Sequence, residues 1–125
     1  MDTIRDSILT QCDLSGLTEK DSTALHRLFE LNGADYDGFL LLSSDEIMNV
    51  DELLIVRVRD EEQFNRLEEA VSARLDRQKQ NFRGYGTDQE DRLEQALTLE
   101  QGDYYFYAVS PQADSWEELF LSLIR

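Results

Sequence analysis

The sequence predicts a two-layer α+β domain, a mainly antiparallel sheet of about four strands with helices packed on one face. Three observations predict it. Apolar residues recur at helical spacing in several segments, and the other apolar runs are short and rich in branched or aromatic side chains. Those short runs also come in neighbouring pairs instead of alternating singly with helices. Pairs of strands adjacent in the chain favour antiparallel contacts, and helices grouped apart from them favour segregation to one side.

Each element has its own signal. Residues 3–12 form a short amphipathic helix with Ile4, Ile8 and Leu9 on one side, and residues 13–17 (DLSGL) turn the chain. Thr18 followed by Asp21 reads as a helix start, and Leu25, Leu28 and Phe29 supply the stripe of that helix, which stops at Asn32-Gly33. Residues 39–42 (FLLL) are a continuous apolar run too short for a buried helix and read as a strand. Residues 53–59 (LLIVRVR) read as a second strand, with Leu54, Val56 and Val58 inward and Ile55, Arg57 and Arg59 on an at least partly wet face. Asp60 with Gln63 caps the longest helix, whose stripe is Phe64, Leu67, Val71, Leu75, Gln78 and Phe82 and whose stop is Gly84. Thr87 with Glu90 opens another helix. Residues 97–101 and 104–110 (YYFYAVS) are strands joined at Gly102-Asp103, where glycine in the first position suits a type II′ hairpin. Ser115 with Glu118 caps a final helix whose face is Trp116, Leu119, Phe120, Leu123 and Ile124. The expected core is Phe39, Leu41, Leu54, Val56, Phe64, Leu67, Val71, Leu97, Phe106, Trp116, Leu119 and Phe120.

At 125 residues the chain reads as a single domain spanning residues 1–125. Its net charge of −15 argues against nucleic acid as a partner, because phosphate binding rests on clustered Lys and Arg, and the same charge repels an anionic membrane surface. Hydrophobic residues make up 41%, enough for a core and far from a disordered acidic tail. One cysteine and one histidine leave neither an internal disulfide nor a Cys/His metal site. No run of apolar residues is long enough to span a membrane. Leu9-Thr10-Gln11-Cys12 lacks both the small residue and the preceding apolar run of a lipoprotein cleavage box, so Cys12 reads as a residue at a helix edge.

Chemistry-bearing patterns are few. Carboxylates are abundant, but an acid pair for glycoside hydrolysis needs a cleft and one raised pKa. Solvated surface is the simpler account of residues that mostly occupy outer helix faces. Asp35-Tyr36-Asp37-Gly38 lacks the alternating oxygen ligands of a calcium loop and suits a turn before a strand. His26 has no nucleophile motif around it, and Gly84-Tyr85-Gly86 has the wrong spacing for a phosphate loop. No catalytic residue, cofactor site or metal site is therefore expected. One candidate partner site stands out at the end of the long helix, where Arg74, Arg77 and Arg83 precede Tyr85. Cations there complement the helix dipole, and the same cluster could receive an acidic peptide or glycan.

Five stretches together resemble a bacterial family, domain of unknown function 4358. They are DLSGL at 13–17, LFELNGADYDGFLLL at 28–42, MNVDELLIVRV at 48–58, RLDRQKQNFRGYGTDQ at 74–89 and GDYYFYAVSPQA at 102–113. The family's usual members look like small exported proteins or lipoproteins, with a signal and anchor ahead of this domain; this sequence starts at Met1 without them. The resemblance implies an extracytoplasmic protein, secreted or lipid-anchored, with this chain as its soluble portion and with no activity or cofactor to carry over. The function expected is a non-enzymatic binding domain whose partner is a protein or envelope component. Two alternatives are a small carboxylate-dependent hydrolase acting on cell-envelope glycan and a cytoplasmic acidic adaptor, the latter supported only by the unpaired Cys12.

Overall fold

Three stretches, GFLLLSS, ELLIVR and YYFYAV, leave almost no polar side chain for either face of a strand. Such runs call for cover on both sides, and the computed structural model, which describes residues 1–84 and 87–124, supplies it. The elements run α1 (Asp2–Gln11), β1 (Leu17–Lys20), α2 (Ser22–Phe29), a 3₁₀ turn (Gly33–Asp35), β2 (Gly38–Ser44) and β3 (Glu52–Arg57). There follow α3 (Gln63–Phe82), α4 (Thr87–Glu94), β4 (Leu97–Gln101), β5 (Tyr104–Val109) and α5 (Ala113–Ile124). The fold class is α+β. The sheet has five strands in the order β1-β2-β3-β5-β4, every neighbouring pair antiparallel.

Helices do not confine themselves to one face, and here the sequence-based expectation is corrected. Leu41, Leu54, Val56, Tyr105 and Tyr107 point to one side and pack with Leu25, Phe29, Leu67, Val71, Phe82 and Leu93 of α2, α3 and α4. Leu40, Leu42, Leu53, Ile55, Phe106 and Ala108 point to the other, under Ile4 and Ile8 of α1 and Trp116 and Phe120 of α5. Phe120 stacks on Phe106 with ring centroids 5.1 Å apart. Ile55, expected on a wet face, is therefore fully buried. The expected single core divides accordingly: Leu41, Leu54, Val56, Leu67 and Val71 lie in one cluster, and Phe106, Trp116 and Phe120 in the other. Phe39 and Phe64 flank the first cluster and Leu97 and Leu119 the second, each partly buried.

The fifth strand is β1, where a helix start was expected. Asp21 is the true N-cap, its side chain accepting from the Ala24 N–H at 3.0 Å, so α2 begins at Ser22. The polar residues before it are then free to pair with β2, Leu17 opposite Ser44 through Lys20 opposite Leu41. Exposed Thr18 and Glu19 suit an edge strand. The other caps shift slightly. Asp60 Oδ1 accepts from the Glu62 N–H and Gln63 Oε1 from the Arg59 N–H, so the two side chains organise the turn before α3 without the reciprocal bonds of a capping box. Ser115 lies inside α5, and Ser110 instead accepts from the Gln112 N–H where that helix begins. Gly102 has φ +60 while Asp103 stays at negative φ, which is the type II′ hairpin the sequence suggested.

Candidate functional site

The central strand begins on the one buried acidic side chain among the described residues. Glu52 opens β3, and its side chain is only 2% exposed. A carboxylate so placed needs compensation. Arg74 reaches down from α3 and donates from Nε to Oε1 at 3.2 Å and from Nη2 to Oε2 at 3.0 Å. The Tyr107 hydroxyl donates to Oε1 at 2.7 Å. Burial and the neighbouring Glu52 together push the Tyr107 phenol well above its ordinary range, which keeps it a donor. The Arg74 guanidinium also sits 5.8 Å from the centre of the Phe29 ring.

Above this network lies a cavity of about 380 Å³, lined by Glu46, Ile47, Met48, Arg74, Gln78, Asn81 and Phe82. Helical spacing puts Arg74, Gln78, Asn81 and Phe82 on one side of α3, and together they form one wall. The loop joining β2 to β3 forms the other. Within it, Asn49 N–H donates to the Glu46 carbonyl at 3.3 Å, closing a four-residue turn with Ile47 and Met48 at its centre. The turn is pinned at both ends. Ser44 Oγ accepts from the Glu46 N–H, Lys20 pairs with Asp45, Asn49 accepts from the Asp51 N–H, and Gln89 of α4 accepts from the Val50 N–H. Central turn positions favour Gly, Asn, Asp or Ser. Here they hold two large apolar side chains, Ile47 89% exposed and Met48 48% exposed, the large hydrophobics most open to solvent among the described residues.

A second, smaller recess of about 200 Å³ lies where the Asp13–Leu17 segment meets the start of α5, and it contains both Asp13 and Asp51. Burial pushes the Asp51 carboxyl up against the pull of Arg92, while Ser15 hydrogen bonds hold Asp13 below the usual range. Both Asp51 oxygens accept from Arg92 Nη1, at 3.0 and 3.1 Å. Each oxygen keeps a second lone pair, and the Arg92 contact fixes the orientation of the group.

The model of a domain of unknown function, DUF4358, matches residues 10–110, well over half of the chain. The chain belongs to this family. In the present structure the DUF4358 span includes all five strands, both walls of the 380 Å³ cavity and the Glu52 network. Comparison with curated proteins and with solved structures found no match.

Within this DUF4358 domain, the sequence-predicted basic cluster is dispersed. Arg74 is engaged by Glu52 and lines the large cavity. Arg77 donates from Nη2 to the Leu28 carbonyl at 2.6 Å, closing the end of α2, where helix carbonyls lack intrahelical partners. Arg83 lines a different recess with Lys79, Glu90 and Glu94, and Tyr85 falls outside the described residues. His26 is exposed on α2. Asp37 pairs with Arg59 at 3.4 Å beside the turn that leads into β2. Burial pushes the Cys12 thiol up, at the end of α1 against the second core. No described helix is long and apolar enough to cross a membrane.

Sequence reasoning singled out neither Ile47, Met48 nor the polar role of Gln78. The available signals were the two adjacent apolar residues in an otherwise polar loop, SSDEIMNVDE, and a glutamine set in an apolar helix stripe.

Proposed function

We propose that this chain is a non-catalytic binding domain of an exported or lipid-anchored bacterial protein, and that it binds through the cavity between the β2–β3 turn and α3. One observation carries the reading. Ile47 and Met48 are displayed beside a concave surface on a turn held at both ends. Exposed apolar residues next to a concavity, already in a fixed conformation, favour association because little ordering is needed on binding. The extracytoplasmic assignment rests on the sequence resemblance alone.

The two methionines, Met1 and Met48, make a mild test available. Photo-methionine incorporated in their place and irradiated in the native cell envelope should yield an adduct that disappears in Met48→Leu, which keeps an apolar turn but leaves only position 1 reactive. An adduct unchanged in Met48→Leu, or none from either chain, would overturn the assignment of the site.

The hydrolase alternative has one foothold, the Asp13 and Asp51 recess. On the binding reading, Asp51→Asn, which keeps one acceptor oxygen for Arg92, retains the Met48 adduct. Glycan cleavage by the wild type that is abolished in Asp51→Asn would establish the enzyme instead.

A further inference from the structure

Gln78 is 8% exposed and lines the large cavity, and its side-chain amide makes no hydrogen bond to the described residues. A primary amide in such a place exchanges water for a partner at little cost when the partner supplies matching donors and acceptors. The Gln78 amide is not among the fully enclosed unpaired groups, so it meets the open cavity, and none of the described residues competes with an occupant for it. Asn81, three residues on, presents a second amide from the same side of α3. Paired primary amides match the alternating N–H and C=O of an extended polypeptide. Between them and the turn, Ile47, Met48 and Phe82 supply apolar walls for one side chain.

Charge decides what flanks that side chain. Arg74 is neutralised by Glu52, so the cavity offers an anion no uncompensated cation. Glu46 stands on the rim without an ion pair among the described residues, and the whole chain carries −15. Such a field draws cationic partners in and repels acidic ones. Resting on the binding reading above, we infer that the cavity receives an extended segment of a partner protein, one apolar side chain flanked by Lys or Arg. The apolar side chain sits between Met48 and Phe82, the Gln78 and Asn81 amides hold the backbone, and Glu46 meets a flanking cation.

The probe is the N-acetylated, C-amidated tripeptide Lys-Leu-Lys, titrated into the ¹⁵N-labelled chain and followed by amide chemical shifts. Saturable shifts are expected at the Glu46–Met48 backbone and at the side-chain amides of Gln78 and Asn81. Lys-Ser-Lys and Glu-Leu-Glu should each bind more weakly, and Gln78→Leu should weaken Lys-Leu-Lys by roughly threefold to tenfold, the loss of about one net hydrogen bond. Equal shifts with Lys-Ser-Lys, shifts scattered over the acidic surface, or no shifts at all would overturn the inference. A photo-methionine adduct at Met48 with no tripeptide binding would remove the ligand class alone. Loss of both would remove the site as well.

Discussion

Replacing Arg74 by Met keeps the aliphatic stem beside Phe29 and deletes the guanidinium. The change leaves the Glu52 carboxylate, 2% exposed, with the Tyr107 hydroxyl as its remaining partner. Removing one member of a buried ion pair typically costs about 3–5 kcal/mol, because the other charge stays desolvated. The lower end applies here. The Arg74 side chain is 13% exposed and lines an open cavity, so water can enter the vacated volume and solvate Glu52 in part. Against a total stability on the order of 5–15 kcal/mol, a loss of about 3 kcal/mol is severe. In urea, with a slope of about 1.5 kcal/mol/M, it moves the midpoint down by roughly 2 M. The triple change Glu52→Leu, Arg74→Met, Tyr107→Phe removes every polar member together and should return to within about 1 kcal/mol of wild type. Urea unfolding followed by Trp116 fluorescence gives all three values. An Arg74→Met chain within about 1 kcal/mol of wild type, or a triple variant no better than the single, would refute the reasoning.

Other consequences are as direct. Tyr107 titrates well above its unfolded value of about 10, so its contribution is complete below that pH and is lost as pH rises toward the folded value. Stability should therefore fall above about pH 10, by up to about 1.4 kcal/mol per pH unit from this group, and Tyr107→Phe should make that limb of a urea-midpoint profile less steep, with Tyr105 and Tyr36, also raised by burial, keeping the remainder. Phe120→Ala should cost about 3–5 kcal/mol because α5 covers a fully buried sheet face, whereas a one-sided sheet would lose far less. Gly102→Ala meets no atom within 4 Å, so backbone strain at φ +60 alone should lower stability by about 1 kcal/mol in the same assay. Sequencing the natural gene upstream of Met1 should find a leader; an open reading frame that begins at Met1 would overturn the export proposal.

The sequence carried the long-range order of the fold better than its layering. Residues 39–42 and 104–109 became strands because their branched and aromatic side chains suit a pleated, buried surface. The stripe Leu67, Val71, Gln78 and Phe82 became the buried face of α3 as its spacing requires. The second layer was present in the same data. Continuous apolar runs in the inner strands mean cover on both faces, and the stripes of α1 and α5 needed a surface of their own to bury. Alternation in the second half of LLIVRVR pointed the other way, because Arg57 and Arg59 lie near the sheet end where they reach Asp103 and Asp37. Strand β1 had no local signal: LTEK is an edge whose pairing comes from β2.

The cavity was illegible for a related reason. Arg74, Arg77 and Arg83 are close in sequence, but helix rotation sends the first two to Glu52 and the Leu28 carbonyl, and Arg83, extended just past the helix, turns to the α4 side. Ile47 and Met48 are far from them in the chain, and only the β2–β3 connection folding over α3 brings turn and helix together.

The central claim is that binding uses the apolar turn and the amide-bearing wall of α3 in preference to the dispersed arginines. The most direct measurement is the photo-methionine adduct at Met48, compared between Ile47→Asp and the double variant Arg77→Glu, Arg83→Glu, with native fold confirmed for each by amide spectra. The account predicts an adduct lost in Ile47→Asp and retained in the arginine variant. An adduct that survives Ile47→Asp and vanishes when the two arginines are reversed would contradict it.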